Sequence, residues 1–251
     1  MLHYDEYGRP GSPALLLLHG AAALDTFSQQ YDLAEKYRLI VPHMPGAGEN
    51  ADRVYHPEET AEELLELVSF LGLEKPAVMG HSLGAQLAVL LLCQSPSLFS
   101  CGIFLSAWIN PREKTVAAYT RLAALSSAAL KWGWLVRFQG RYWHFTPVQA
   151  QRMAAYSQNI TPDVYRSFFT NTLDLAQHPE YQEVCVPMLA ICGSREVRDM
   201  RVSLTLLGEN PHCETVLLPG CDHDFPMRRA EVLNPMINRF LEKYHPAQMA
   251  G

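Results

Sequence analysis

The chain of 251 residues lacks several features that would assign it at once. No run of about 18 apolar residues occurs, so no membrane-spanning helix is read and stable membrane insertion is not expected. Met1-Leu2-His3-Tyr4-Asp5-Glu6-Tyr7 has no basic stretch leading into an apolar run. A secretory signal is therefore not read, and a cytoplasmic location is expected. A basic surplus is also missing: 20 Lys and Arg stand against 26 Asp and Glu, a net charge of −6, which argues against a nucleic-acid partner. Cysteine pairs at CxxC spacing are absent. Cys93, Cys101, Cys185, Cys192, Cys213 and Cys221 are scattered, which disfavours a zinc site and suits reduced thiols. Internal repeats and low-complexity tracts are missing too.

What is present is a globular composition, 48% hydrophobic and 18% charged, able to bury one sizeable core. Ala14-Leu15-Leu16-Leu17-Leu18 is short, wholly apolar and bounded by Pro13 and Gly20, as a strand covered on both faces should be. Residues 27–36 read as helical, and Arg38 to Val41 as the next strand. Pro57 to Leu71 is the clearest helix: Pro57 sits near its start, Glu58 and Glu59 in its first turn suit the dipole, and Gly72 ends it. Pro76 to Met79 is a strand, Leu83 to Cys93 a buried helix, and Gly102 to Leu105 a further strand. The alternation stops after residue 107. It resumes with strand 188–192, a helix near 199–207, strand 215–218 and a closing helix near 229–243. This order predicts an α/β fold with a mostly parallel sheet and helices on both faces. Residues 1–107 and 182–251 form the core, and residues 108–181 an inserted helical cap.

The insertion has its own composition. It holds 13 of the 25 aromatic residues, including Trp108, Trp132, Trp134 and Trp143, and eight Lys and Arg against four Asp and Glu. A small helical layer needs rings to bury against the body. Some of them are also expected to line an apolar pocket for a small-molecule substrate.

The motif that carries chemistry is Gly80-His81-Ser82-Leu83-Gly84 between a strand and an apolar helix. This is the context of a nucleophile elbow, in which Ser82 sits on a sharp, strained turn with its hydroxyl exposed. Side chains at positions 80 and 84 would collide with a neighbouring strand or helix. The helix N-terminus behind Ser82 favours developing negative charge.

With these residues in place the sequence resembles the α/β-hydrolase fold superfamily, near its esterase, lipase and carbon–carbon-bond hydrolase branches. The likeness also rests on Leu17-Leu18-His19-Gly20, Met44-Pro45-Gly46-Ala47-Gly48, the segment Val186 to Gly193, and Gly220-Cys221-Asp222-His223. It implies that His223, on the loop after the last strand, is the catalytic base, and that His19 packs behind the site. It implies an acid at Glu196, the last position of Gly193-Ser194-Arg195-Glu196, with Asp199 as the alternative, otherwise the first turn of a helix. An oxyanion hole then needs two backbone amides, that of Leu83 and one after Gly20, either Ala21 or Ala22. The chain departs from the family pattern in three ways: small alanines at 21–23 where relatives carry a bulky ring, His43 in place of an Asp, and the absence of the outermost N-terminal strand. His3, His56, His178 and His245 read as surface or turn residues. Cys221 reads as an incidental thiol beside the site, and Asp222 and Asp224 as loop charges.

The leading functional expectation is hydrolysis of small or medium carboxylic esters or thioesters, with no metal or organic cofactor. Cleavage of carbon–carbon bonds, lactonase or lyase chemistry with the same triad is the alternative. A slow-turnover ligand-binding signalling protein on a hydrolase scaffold is a third. Oligomeric state is not legible.

Overall fold

The computed structural model describes residues 1–246. Its sheet has seven strands: β1 (Tyr4–Tyr7), β2 (Ala14–Leu18), β3 (Arg38–Pro42), β4 (Ala77–His81), β5 (Gly102–Leu105), β6 (Met188–Gly193) and β7 (Cys213–Leu218). Their order is β1-β3-β2-β4-β5-β6-β7. All neighbours pair in parallel except β1, which runs antiparallel along the β3 edge. Residues 4–7 thus supply one edge strand, and no strand lies outside it among the described residues.

Strand β2 shows why the sheet must be covered twice. Leu16 and Leu18 belong to one buried cluster, Leu15 and Leu17 to the other, because successive side chains point to opposite faces. On the first face lie α1 (Pro57–Phe70) and α2 (Leu83–Gln94). Between β5 and β6 come α3 (Glu113–Ser126), α4 (Gly133–Tyr142), α5 (Pro147–Tyr156) and α6 (Pro162–Thr170), with no strand among them. Then α7 (Arg198–Leu207) returns to the first face, α8 (Phe225–Arg228) is a single turn, and α9 (Ala230–Tyr244) covers the second face.

Two readings change. Residues 28–35 wind as a 3₁₀ helix, closed by bonds such as Gln30 N–H to Phe27 O. His245 is buried, not at the surface. It follows the last turn of α9, stacks on Tyr37 with ring centroids 5.6 Å apart, and meets Ser100 Oγ at 2.8 Å. No described helix is long and apolar enough to cross a membrane.

Candidate active site

The glycines of the elbow are required by contact. A Cβ on Gly80 would stand 2.1 Å from Gly84 O, and one on Gly84 would stand 1.9 Å from Leu18 O. The turn forces Ser82 to φ 54° and ψ −112°, a region that L-residues rarely adopt. Ser82 N–H donates to Leu105 O at 2.8 Å, which pins the turn to the end of β5.

Ser82 Oγ lies 3.0 Å from His223 Nε2, and His223 Nδ1 donates to Glu196 Oε2 at 2.7 Å. The structure therefore brings Ser82, His223 and Glu196 into one line. Asp199 is not part of it: it lies in the first turn of α7 and pairs with Arg112. Glu196 Oε1 accepts from Gly193 N–H at 2.6 Å and from the Ser106 hydroxyl at 2.7 Å. The Glu196 side chain is 1% exposed. Burial pushes its pKa up, but the hydrogen bond and charge of His223, then the Gly193 and Ser106 bonds, outweigh this and hold it below the ordinary value. The carboxylate is thus kept ionised beside the imidazole.

Sequence reasoning missed Ser106. It stands just after β5 at φ 54°, and its one signal was a hydroxyl directly following an apolar strand. It also missed the part played by His81. Nε2–H of His81 donates to His223 O at 2.9 Å, tying the histidine loop to the elbow. Burial, then the neighbouring His223, lowers the His81 pKa to about 3, so the ring is neutral. His19 is fully buried; burial lowers its pKa to about 4, and its Nε2 accepts from Met44 N–H. Cys221 is buried, and burial pushes its thiol up, away from the thiolate form. Asp224 faces Arg228, 3.8 Å away.

The loop after β2 is closed by Ala23 N–H to Gly20 O and by Gly20 N–H to Thr26 Oγ1, bonds that do not use the Ala21 amide. Ala21 and Ala23 line the cavity beside Ser82, whereas Ala22 takes φ 57° and does not. Leu83 is the first residue of α2, where N–H groups have no acceptor inside the helix. Arg152 of α5 donates to Asp5 at 2.7 Å and to Asp25, pinning this loop to the inserted helices. His43, in place of the expected Asp, accepts from Glu49 N–H and lies 3.3 Å from Asp5.

The cavity over Ser82 measures about 460 Å³. Its walls include Trp108, Tyr119, Trp143, Phe168 and Phe169 from the inserted segment, with Met200 and Met227 from the body. Trp132 and Trp134 are not among them and stand exposed. Among the described residues no group of three His, Cys, Asp or Glu could hold a metal ion.

The chain is similar to several known proteins. It is 28% identical over 106 residues to RutD of Cronobacter turicensis, a protein named for carbamate hydrolysis, and that match spans 40% of either chain. It is 24% identical to a 2-hydroxy-6-oxononadienedioate hydrolase of Dechloromonas aromatica, over 96% of this chain and 90% of that one. A carboxylesterase structure from the thaumarchaeon Nitrososphaera gargenis superposes with a TM-score of 0.77 at 16% identity, over 96% of this chain and 94% of that one. The model of the alpha/beta hydrolase family matches residues 15–235. That match takes in all but the first residue of β2, every strand from β3 to β7 and the elbow between β4 and α2, and the chain therefore belongs to the alpha/beta hydrolase family.

Proposed function

We propose that this hydrolase cleaves small or medium carboxylic esters or thioesters through an acyl-enzyme on Ser82. The observation that carries the reading is the unbroken contact from Ser82 Oγ to His223 to the buried Glu196 carboxylate. Ser82 Oγ attacks the carbonyl carbon as its proton passes to His223 Nε2. Glu196 holds Nδ1 protonated, so Nε2 presents its lone pair, and it stabilises the imidazolium that forms. The Leu83 and Ala21 amides receive the oxyanion. Collapse expels the alcohol or thiol with the proton from His223, and water then cleaves the acyl-enzyme by the same route. The steps need neither metal nor cofactor. Residues 108–181 act as the cap, and its rings take the apolar part of the substrate.

A second reading keeps the same residues and cleaves a carbon–carbon bond or a lactone. The five aromatic rings in the cavity wall favour it, as does the near full-length likeness to the Dechloromonas enzyme. A panel of aryl esters, lactones and vinylogous diketones separates the two. Turnover of the esters, abolished in Ser82→Ala, is the expected result. Activity on the diketones alone overturns the first reading. Full ester turnover by Ser82→Ala, or no fluorophosphonate adduct on Ser82 of the folded chain, overturns both.

A further inference from the structure

Helix α4 has its apolar surface on the wrong side for a globular helix. Val136 and Gly140 face inward, where a Cβ on Gly140 would meet Ala150 of α5 at 3.0 Å. Trp134 and Phe138 face outward, 64% and 65% exposed, with Tyr142 one turn further on and Trp132, 55% exposed, just before the helix. Residues 134, 138 and 142 recur every fourth position, so the rings form one stripe. Core packing places no such stripe on the outside, and a cluster of exposed rings marks a surface with a partner.

Charge says what that partner is. Residues 114–162 hold six of the chain's 20 Lys and Arg and none of its 26 Asp and Glu. The remainder carries fourteen basic against 26 acidic residues, so the molecule is electrically polarised. Arg152 is turned inward onto Asp5 and Asp25, but Arg137 and Arg141 flank the ring stripe three and seven positions after Trp134. Exposed Trp, Phe and Tyr interleaved with Arg and no acid is the composition of a helix lying in a membrane interface. A second copy of the chain fits poorly, because a two-fold contact through this face opposes Arg137 and Arg141 with their own like charges.

We propose that α4 and the residues flanking it dock this protein peripherally on an anionic phospholipid bilayer. The rings enter the headgroup layer, the arginines meet lipid phosphates, and the acidic body is turned away from the surface. Docking of this kind spans nothing and is compatible with the absence of a membrane-crossing helix among the described residues. Trp143, the residue after α4, lines the cavity over Ser82, so the docked face adjoins the wall of the site.

The test is co-sedimentation of the full chain with phosphatidylcholine vesicles with and without about one third phosphatidylglycerol, at low salt and at about 0.5 M salt. Binding to the anionic vesicles only, reversed by salt and accompanied by a blue shift of tryptophan emission, is expected. Arg137→Gln with Arg141→Gln weakens it about 25-fold, at roughly five-fold per basic residue. Trp134→Ser with Phe138→Ser removes both binding and blue shift. Each variant keeps its circular dichroism and its turnover of a water-soluble ester. Ser82→Ala binds vesicles like the unaltered chain, so docking stands or falls apart from the catalytic reading. The proposal is overturned by no partition onto anionic vesicles, or by equal partition onto pure phosphatidylcholine. It is equally overturned by a monomer–dimer equilibrium, abolished by Trp134→Ser with Phe138→Ser, in a chain that ignores vesicles.

Discussion

Replacing Glu196 by Gln probes the site more sharply than removing Ser82, because it changes one charge and almost no volume. The surroundings decide how the amide sits. Position Oε1 is met by three donors, Gly193 N–H at 2.6 Å, the Ser106 hydroxyl at 2.7 Å and the Cys192 thiol at 3.4 Å, so the carbonyl oxygen of the new side chain must stay there. The NH₂ group is then directed at His223 Nδ1, where the carboxylate oxygen lay 2.7 Å away. Two donors cannot face each other. The imidazole moves its proton to Nε2, which then points a proton at Ser82 Oγ instead of a lone pair. Loss of the correct tautomer and of the charge facing the imidazolium lowers kcat/KM by about 10³- to 10⁴-fold, or about 4–5 kcal/mol of transition-state stabilisation. Glu196→Asp keeps the charge but draws the carboxylate back by about 1.5 Å, for a loss of about 10²-fold. Asp199→Asn leaves kcat/KM unchanged, since Asp199 pairs with Arg112 and not with His223. The assay is ester hydrolysis from pH 5 to 9 together with the rate of fluorophosphonate labelling. If Glu196→Gln stays within a few-fold of the unaltered chain while Asp199→Asn falls, the assignment of the acid is wrong.

Three further outcomes follow from the same contacts. Ser106→Ala removes one donor from the Glu196 carboxylate, a hydrogen bond to a charge of about 1.5–3 kcal/mol. The Glu196 pKa is depressed in the folded state, so its contribution is present above the unfolded pKa and fades as pH falls. Urea unfolding should therefore show the full loss at pH 7 and a progressively smaller one as pH falls below the ordinary carboxylate value of 4.5, and a loss that grows on acidification would contradict the assignment. Gly84→Ala forces a Cβ to 1.9 Å from Leu18 O, so backbone must shift; a loss of about 3 kcal/mol or failure to accumulate soluble protein is expected, measured by thermal unfolding. Arg152→Met strands the buried Asp25 carboxylate beside Asp5 and costs about 3–5 kcal/mol at pH 7. Burial already raises the Asp25 pKa, so acid lets it take a proton and the penalty shrinks as pH is lowered; a penalty that grows on acidification would refute this account.

The sequence by itself determined the architecture and the position of the elbow that carries Ser82, because both leave a short-range pattern in the chain. A short leucine run such as Leu15 to Leu18, bounded by Pro13 and Gly20, fits a strand covered on two faces, and its alternating leucines do divide between the two buried clusters. Gly80 is dictated by a collision with Gly84 O inside the elbow and Gly84 by one with Leu18 O at the end of β2, and the spacing of the two glycines about Ser82 marks the turn in the sequence. Tertiary structure decided what depends on groups distant in the chain. Glu196 rather than Asp199 meets His223, because the loop after β6 carries 196 toward the end of β7 while α7 carries 199 toward Arg112. Ser106 and His81 gain their contacts only when β5, β6 and the histidine loop converge. Helix α4 is the sharpest case. Its three rings and two arginines are plain in the sequence, but periodicity assigns rings to a buried face. Only the packing of Val136 and Gly140 inward shows that Trp134 and Phe138 face solvent, since which side of a helix is covered depends on its neighbours in space.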